Sequence, residues 1–204
     1  MPSPTTTARR SRARPAGVPS PLGMFFQGFL KHPVMVGSII PSSDKLIRKM
    51  LAPVDWAACK VFVEYGPGVG TFCRPILERM APDATLIAID TNPDFIRYLD
   101  HTISDSRFVA VHGSAADVEQ IVADLGYEAA DFVLSGLPFS TLPAGVGKAI
   151  GDATHRVLRA GGAFLVYQFS PKVKDFLTPN FTEIDHDMEW WNVPPAQLYW
   201  AWKC

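Results

Sequence analysis

From Val61 onward the chain alternates short apolar runs with amphipathic segments, and no other feature limits the possible folds as much. Val61–Tyr65 (VFVEY), Leu86–Asp90 (LIAID), Arg107–Val111 (RFVAV), Asp131–Ser135 (DFVLS) and Ala163–Phe169 (AFLVYQF) read as strands. Between them, Leu77 and Met80, then Phe95, Ile96 and Leu99, then Val118, Ile121 and Val122, recur at helical spacing. A fourth helix is expected from about Ala144 to Arg159, stopped by Gly161-Gly162. Strands that are apolar throughout, each followed by a helix, imply an α/β fold: a mostly parallel sheet with helices on both faces. The tail, Phe181–Lys203, has two strand-like runs around Asn192-Val193-Pro194-Pro195. Strands so close together pair antiparallel.

The segment before Val61 differs in charge. The 204 residues carry 19 basic and 20 acidic side chains, a net charge of -1 that argues against a generic nucleic-acid binder. Through Lys49, however, there are eight basic residues and one acid, Asp44. Residues 1–21, with five prolines and four arginines, cannot bury a core and read as a disordered basic leader, with a transit peptide as the alternative. Residues 22–52 read as amphipathic helices. Phe25, Phe26, Phe29 and Leu30 share one face, Lys31 lies on another, and Pro33 ends the first segment. Ser42 or Ser43 is the expected N-cap of a second helix that buries Leu46, Ile47, Met50 and Leu51. Cys59, Cys73 and Cys204 form no C-x-x-C pair, so neither a metal site nor a disulfide framework is expected. No run reaches the ~18 apolar residues of a membrane span.

The first strand runs into EYGPGVG (Glu64–Gly70), which opens a helix. Glycines let the backbone approach a ligand, and a helix N-terminus attracts an anionic group. Thr71 stands where the dinucleotide fingerprint has its third glycine. Glu64, two residues before Gly66, would repel a pyrophosphate and attract a cationic amine. Asp90 ends the second strand and can accept hydrogen bonds from both ribose hydroxyls. This set favours S-adenosylmethionine, which carries an amine and a carboxylate, over NAD. Taken singly, the glycines also suit a tight turn and Asp90 a helix N-cap.

EYGPGVG, LIAID, HGSA and SGLPF, in that order, resemble the class I S-adenosylmethionine-dependent methyltransferases over about residues 30–204. The resemblance implies a Rossmann-like domain over residues 53–204, with a seven-stranded sheet whose C-terminal strand pair is antiparallel. Two groups are most similar: ribosomal RNA adenine dimethylases and bacterial phospholipid N-methyltransferases, which methylate phosphatidylethanolamine toward phosphatidylcholine. FLKHPVMVGSIIPSS, SGLPF and NVPPAQLYW look like the second group. By this resemblance Glu64 binds the methionine amine, Gly66, Gly68 and Gly70 shape the loop, and Asp90 binds the ribose. Thr91, Ser114 and Ala115 would lie by the adenine, and Gly37 and Ser38 would cover the cofactor.

The segment Ser135-Gly136-Leu137-Pro138-Phe139 is the expected catalytic loop. Adenine dimethylases carry N-L-P-Y or similar there, the asparagine and carbonyl holding the base amine and the aromatic ring stacking on it. Here Gly136 and Phe139 stand at those positions, which counts against adenine and suits an aliphatic amine. The backbone carbonyls of Ser135–Leu137 are candidates to hold the amine. His32, His101, His112, His155 and His186 suit either a base or an ordinary surface position, and Tyr167 and Gln168 either face the pocket or pack in the core. No general base is assigned. The resemblance thus implies a cytoplasmic, peripheral membrane enzyme that methylates a phospholipid head-group amine. Phe25, Phe26, Phe29, Leu30 and Lys31 would meet an anionic membrane surface. The alternative is an RNA adenine N6-methyltransferase with its arginines on phosphate. Trp190, Trp191, Trp200 and Trp202 in the tail fit either an interfacial belt or, by their strand-like alternation, mostly the core, which is the favoured reading.

Overall fold

The computed structural model describes residues 43–169, 173–192 and 195–204. Gly37, Ser38 and the proposed membrane residues Phe25, Phe26, Phe29, Leu30 and Lys31 lie outside the described residues.

Seven strands form one sheet in the order β3-β2-β1-β4-β5-β7-β6. They are β1 (Val61–Tyr65), β2 (Thr85–Asp90), β3 (Phe108–His112), β4 (Ala130–Ser135), β5 (Leu158–Gln168), β6 (Glu183–Glu189) and β7 (Ala196–Trp202). Strands β1 to β5 pair in parallel, and β7 runs antiparallel between β5 and β6, as the sequence pattern implies. The helices are α1 (Asp44–Leu51), α2 (Cys73–Leu77), α3 (Pro93–Thr102), α4 (Val118–Asp124), α5 (Val146–Val157) and α6 (Lys174–Leu177).

The sheet divides two apolar cores. On one face, Leu46, Met50 and Leu51 of α1, Ile76 of α2 and Leu99 of α3 pack on Phe62, Leu134 and Leu165. On the other, Val118 and Val122 of α4, Ile150 and Val157 of α5 and Leu177 of α6 pack on Val63, Val133 and Phe164. Each fully buried side chain of this size contributes roughly 1.5–3 kcal/mol. The α1 helix begins where the sequence places it: the Ser43 hydroxyl accepts from Leu46 N at 3.2 Å. At its other end the Met50 carbonyl accepts from the indole of Trp200, tying α1 to β7.

Two elements differ from the sequence pattern. The helix after the glycine loop stops at Leu77, although Met80 is buried beyond it, because the chain turns to enter β2. Gly161-Gly162 does not separate α5 from β5. Strand β5 already starts at Leu158, and the glycines form an irregularity inside it, where the pairing with β4 jumps from Ala130↔Leu158 to Phe132↔Ala163. Lys203 N and O bond Gly162 O and Gly161 N, at 2.9 and 2.7 Å, so the backbone there is satisfied by β7's end.

Asp131 joins three elements at the edge opposite the strand C-termini. Its carboxylate accepts from Lys60 N at 2.7 Å and Val61 N at 2.8 Å, and it pairs with Arg159. Asp131→Ala leaves two backbone donors at the start of β1 and a guanidinium without their acceptor. We expect a loss of about 2–3 kcal/mol, measured by urea unfolding.

Candidate functional site: the carboxyl edge of the sheet

Strands β1 and β4 are neighbours, while β2–β3 extend on one side and β5 on the other. The strand order reverses here, so the loops after β1 and β4 diverge and leave a crevice at the strand C-termini. EYGPGVG and SGLPF therefore face one another across this switch point, as a direct contact shows. A Cβ on Gly66 would lie 2.8 Å from Cδ2 of Leu137.

Glu64 is the chemical centre of the first loop. Val63 and Tyr65 belong to the core on the α4–α6 side, so alternation turns Glu64 toward α1–α3. The side chain is 3% exposed and its carboxylate accepts from the Cys73 thiol at 3.1 Å. No lysine, arginine or histidine pairs with it among the described residues. Burial pushes its pKa up to about 7, the Cys73 hydrogen bond pulls it down, and the nearby charge of Asp90 adds a smaller rise. The Cys73 thiol is itself raised, chiefly by burial and then by the Glu64 charge. A buried carboxylate without a cation is suited to receive an ammonium group.

The loop then turns through Gly66, Gly68 and Gly70, all at positive φ. At Gly68, φ is 55° and a Cβ would meet nothing within 4 Å, so glycine is needed for the turn and the space above is open to a ligand. Asp90 stands across from it at the end of β2. Its Oδ1 accepts from Asn92 N at 2.8 Å, and the N–H groups of Gly68 and Thr91 also support it. Burial raises its pKa, and these N–H groups oppose the rise. The N-cap of α3 is Asn92, not Asp90. Thr91 is exposed, and its carbonyl lies 3.1 Å from Nε2 of His112. Gly113 N bonds Asp90 O at 3.1 Å, which sets Ser114 and Ala115 beside the same strand end. The Ser114 hydroxyl accepts from Ala116 N at 3.2 Å, and the Ala115 side chain is in the core.

The second loop is already heavily bonded. The Ser135 hydroxyl accepts from Leu137 N at 3.2 Å. The Leu137 carbonyl accepts from Phe139 N at 2.9 Å and from the Gln168 amide. The Pro138 carbonyl accepts from Thr141 N and its hydroxyl at 2.9 and 3.0 Å. A carbonyl oxygen has two lone pairs, so both of these carbonyls are filled. The Phe139 ring is 2% exposed and packs on Phe164 and Phe176, with centroids 6.3 and 5.6 Å away. That ring fills the core rather than offering a stacking face to an acceptor. Over Gly136 lies a side chain whose position the sequence did not reveal. A Cβ at Gly136 would come within 2.5 Å of Cζ of Tyr167 and would collide with its hydroxyl. The Tyr167 ring stacks on Phe72 at 5.0 Å. Cys73 was also missed, and only its position three residues beyond Gly70 could have signalled it.

The tail tryptophans split. Trp200 is buried and Trp202 half-buried, whereas Trp190 and Trp191 are 69% and 79% exposed. Register places these two at the carboxyl edge as well, because Gln168 at the end of β5 pairs with Gln197, which pairs with Met188. Lys45 lies over the Trp191 ring at 5.5 Å, and Arg48 lines the same open cleft.

Comparison with known proteins agrees with this geometry. A family pattern described as "Methyltransferase domain" matches residues 62–162. The chain is 33% identical over 180 residues to "Ornithine lipid N-methyltransferase" of Singulisphaera acidiphila, covering 87% of this chain and 94% of that protein. It is 36% identical over 81 residues to "Ribosomal RNA small subunit methyltransferase H" of Shewanella pealeana, which spans only 26% of that protein. Among solved structures, precorrin-6y C5,15-methyltransferase of Geobacter metallireducens superposes with a TM-score of 0.62 at 17% identity, covering 78% of this chain and 88% of that one. A Thermus thermophilus 16S rRNA N2 G1207 methyltransferase, solved with AdoMet and guanosine, gives 0.60 at 20% identity, covering 82% and 44%. The chain belongs to the class I S-adenosylmethionine-dependent methyltransferases. Its cofactor is S-adenosylmethionine. Its relation to a lipid N-methyltransferase spans 87% of the chain.

The site fits that cofactor: the uncompensated Glu64 for the amine, the open turn at Gly68, and Asp90 at the next strand end. With the Glu64 pKa near 7, an incoming ammonium competes with a proton. Cofactor affinity is expected to rise nearly tenfold per pH unit up to about pH 7 and then flatten. Glu64→Gln should weaken binding and remove that dependence, as read by calorimetry. The same raised pKa means the cofactor-free protein loses stability as pH rises from about 4.5 to 7.

Proposed function

We propose that the protein methylates the head-group amine of a membrane lipid. Phosphatidylethanolamine, converted toward phosphatidylcholine, is the acceptor implied by the sequence motifs, and an ornithine lipid is the acceptor named for the 33% identical relative. The observation that carries this reading is Gly136 under Tyr167: the space in which a base-methylating enzyme places an asparagine side chain is filled by a phenol. That arrangement disfavours the alternative, an RNA adenine N6-methyltransferase.

Bound at the carboxyl edge, S-adenosylmethionine supplies a sulfonium methyl group, electrophilic enough that positioning and dehydration account for most of the catalysis. The chain's own residues then have three tasks. Glu64 and Asp90 anchor the two ends of the cofactor. Phe72, Leu137 and Tyr167 surround the space between the loops with largely apolar surface. The third task is to receive a neutral amine, since only its lone pair can react. An alkylammonium of pKa ~10 is about one-thousandth neutral at pH 7.

We place the enzyme at the cytoplasmic membrane surface as a peripheral protein. The leader residues Phe25, Phe26, Phe29, Leu30 and Lys31 are its proposed contact with an anionic bilayer. Trp190 and Trp191, exposed at the same edge as Glu64, support a membrane-facing orientation of the site. Among the described residues no helix is long and apolar enough to cross a membrane.

Radiolabelled methyl transfer offered separately to phosphatidylethanolamine vesicles, ornithine lipid vesicles and ribosomal RNA tests the reading. Label in lipid is expected, with kcat/KM rising about tenfold per pH unit from pH 7 to 9 as the amine loses its proton. Label in RNA alone would refute it. Trp190→Ala with Trp191→Ala should reduce sedimentation with phosphatidylglycerol-containing vesicles several-fold, as should Phe25→Ala with Phe26→Ala. Unchanged sedimentation in both would remove the membrane orientation.

A further inference from the structure

We propose that the cleft between α1 and the turn after β6 binds the phosphate of an anionic bilayer lipid, with the Arg48 guanidinium as its ligand. The proposal rests on the membrane placement above and adds to it a second lipid site, separate from the methyl-transfer crevice.

Two elements distant in sequence build the cleft. Lys45, Arg48 and Lys49 come from α1, and Glu189, Trp190 and Trp191 come from the end of β6 and the turn that follows. Its volume is about 410 Å³, within the range of small-ligand sites, and it opens to solvent. Its walls are fixed. Glu189 is 1% exposed, and its Oε1 accepts from Trp191 N at 3.1 Å. That bond holds the turn that displays both indoles. Lys49 donates to the Met188 carbonyl and pairs with Asp187, each at 2.7 Å, which ties α1 to β6.

The three cations differ in their partners. Glu189 lies 3.6 Å from Lys45, and Asp187 neutralises Lys49. Arg48 is exposed, and its side chain has no ion pair or hydrogen bond among the described residues. A guanidinium can hold a phosphate through two parallel N–H donors. The neighbouring tryptophans select the source of that phosphate. Two adjacent exposed indoles are unfavourable in water and favourable in the head-group layer of a bilayer. Lys45 already covers one face of the Trp191 ring, at 5.5 Å, which counts against a nucleobase stacking there.

The lipid held here is not the one being methylated. The cleft lies at the carboxyl edge, as Glu64 does, but β6 is three strand spacings from β4, roughly 14 Å. In an ethanolamine head group only an O–CH₂–CH₂ link separates phosphorus from nitrogen, too short to span that distance. A phosphate at Arg48 therefore belongs to a neighbouring lipid, and the site anchors the open edge of the sheet on the bilayer.

Arg48→Glu tests this, because an exposed side chain without a partner can be changed at little cost in stability. The full-length wild type, Arg48→Glu and Arg79→Glu are sedimented with phosphatidylcholine vesicles with and without phosphatidylglycerol. Arg79 lies where the chain turns to enter β2, at the opposite edge, and carries the same charge change. We expect Arg48→Glu to lower partitioning onto the phosphatidylglycerol vesicles at least about tenfold. Arg79→Glu should lower it less than about twofold, since charges beyond ~10 Å are screened. The kcat of Arg48→Glu on phosphatidylethanolamine in neutral detergent micelles should equal that of the wild type. Equal losses of partitioning in both variants would mean general surface attraction and overturn the site. A fall in micellar kcat would place Arg48 in the methyl-transfer crevice and overturn it too. So would an Arg48→Glu that weakens binding to ribosomal RNA but not to vesicles. A wild type that binds no vesicle overturns the membrane placement and this site together. A wild type and Arg48→Glu that bind vesicles equally overturn this site alone.

Discussion

Because β1 pairs with β2 on one side and β4 on the other, two loops far apart in sequence leave the sheet side by side. Everything at the site follows from that adjacency. Glu64, next to last in β1, is an acidic group in an otherwise apolar strand, and it lies where the strand C-termini open into the crevice. The loop after β4 must then come close: Leu137 reaches the backbone of Gly66 so nearly that no Cβ fits between them. The loops after β1 and β4 are thereby packed on one another, anchored in adjacent strands of the sheet and joined by the Leu137 side chain.

The electrostatics of this edge are organised around carboxylates that burial disfavours. Glu64 and Asp90 are both raised, and neither has a basic partner in a salt bridge among the described residues. Other acids are paired: Asp131 with Arg159, Glu189 with Lys45, Asp187 with Lys49. The contrast sets apart Glu64 and Asp90 as the acids we propose to meet the cofactor. It also explains why a net charge of -1 carried so little information by itself, since acids of both kinds count alike in that sum.

Local patterns were legible wherever the physical cause is local. Strands covered on both faces must be continuously apolar, and five of them could be read directly. The glycine turn needs positive φ, and a Ser43 cap needs only its own helix. The β5 start was not legible, because Gly161-Gly162 stops a helix equally well as it permits a bulge, and the choice depends on Lys203 bonding across from β7. Trp190 and Trp200 each stand beside another aromatic in sequence, yet one lies in a turn and the other faces α1, where the Met50 carbonyl accepts from it. Phe139 was readable as an aromatic in the loop after β4, but its direction depended on Phe164 and Phe176, which come from distant elements.

The sequence by itself determined the sheet, the glycine turn with its flanking carboxylates and the absence of a side chain at residue 136. Each of these is set by residue type at short range: apolar periodicity, glycine dihedrals, a carboxylate at a strand end. Only the tertiary structure decided what replaces the missing side chain. Tyr167 lies over Gly136 because β5 docks beside β4 in one register, and a register is a long-range property of backbone pairing that spacing along the chain does not encode. The same pairing brought Gln168 to the Leu137 carbonyl and so filled an oxygen that the sequence had left as a candidate acceptor.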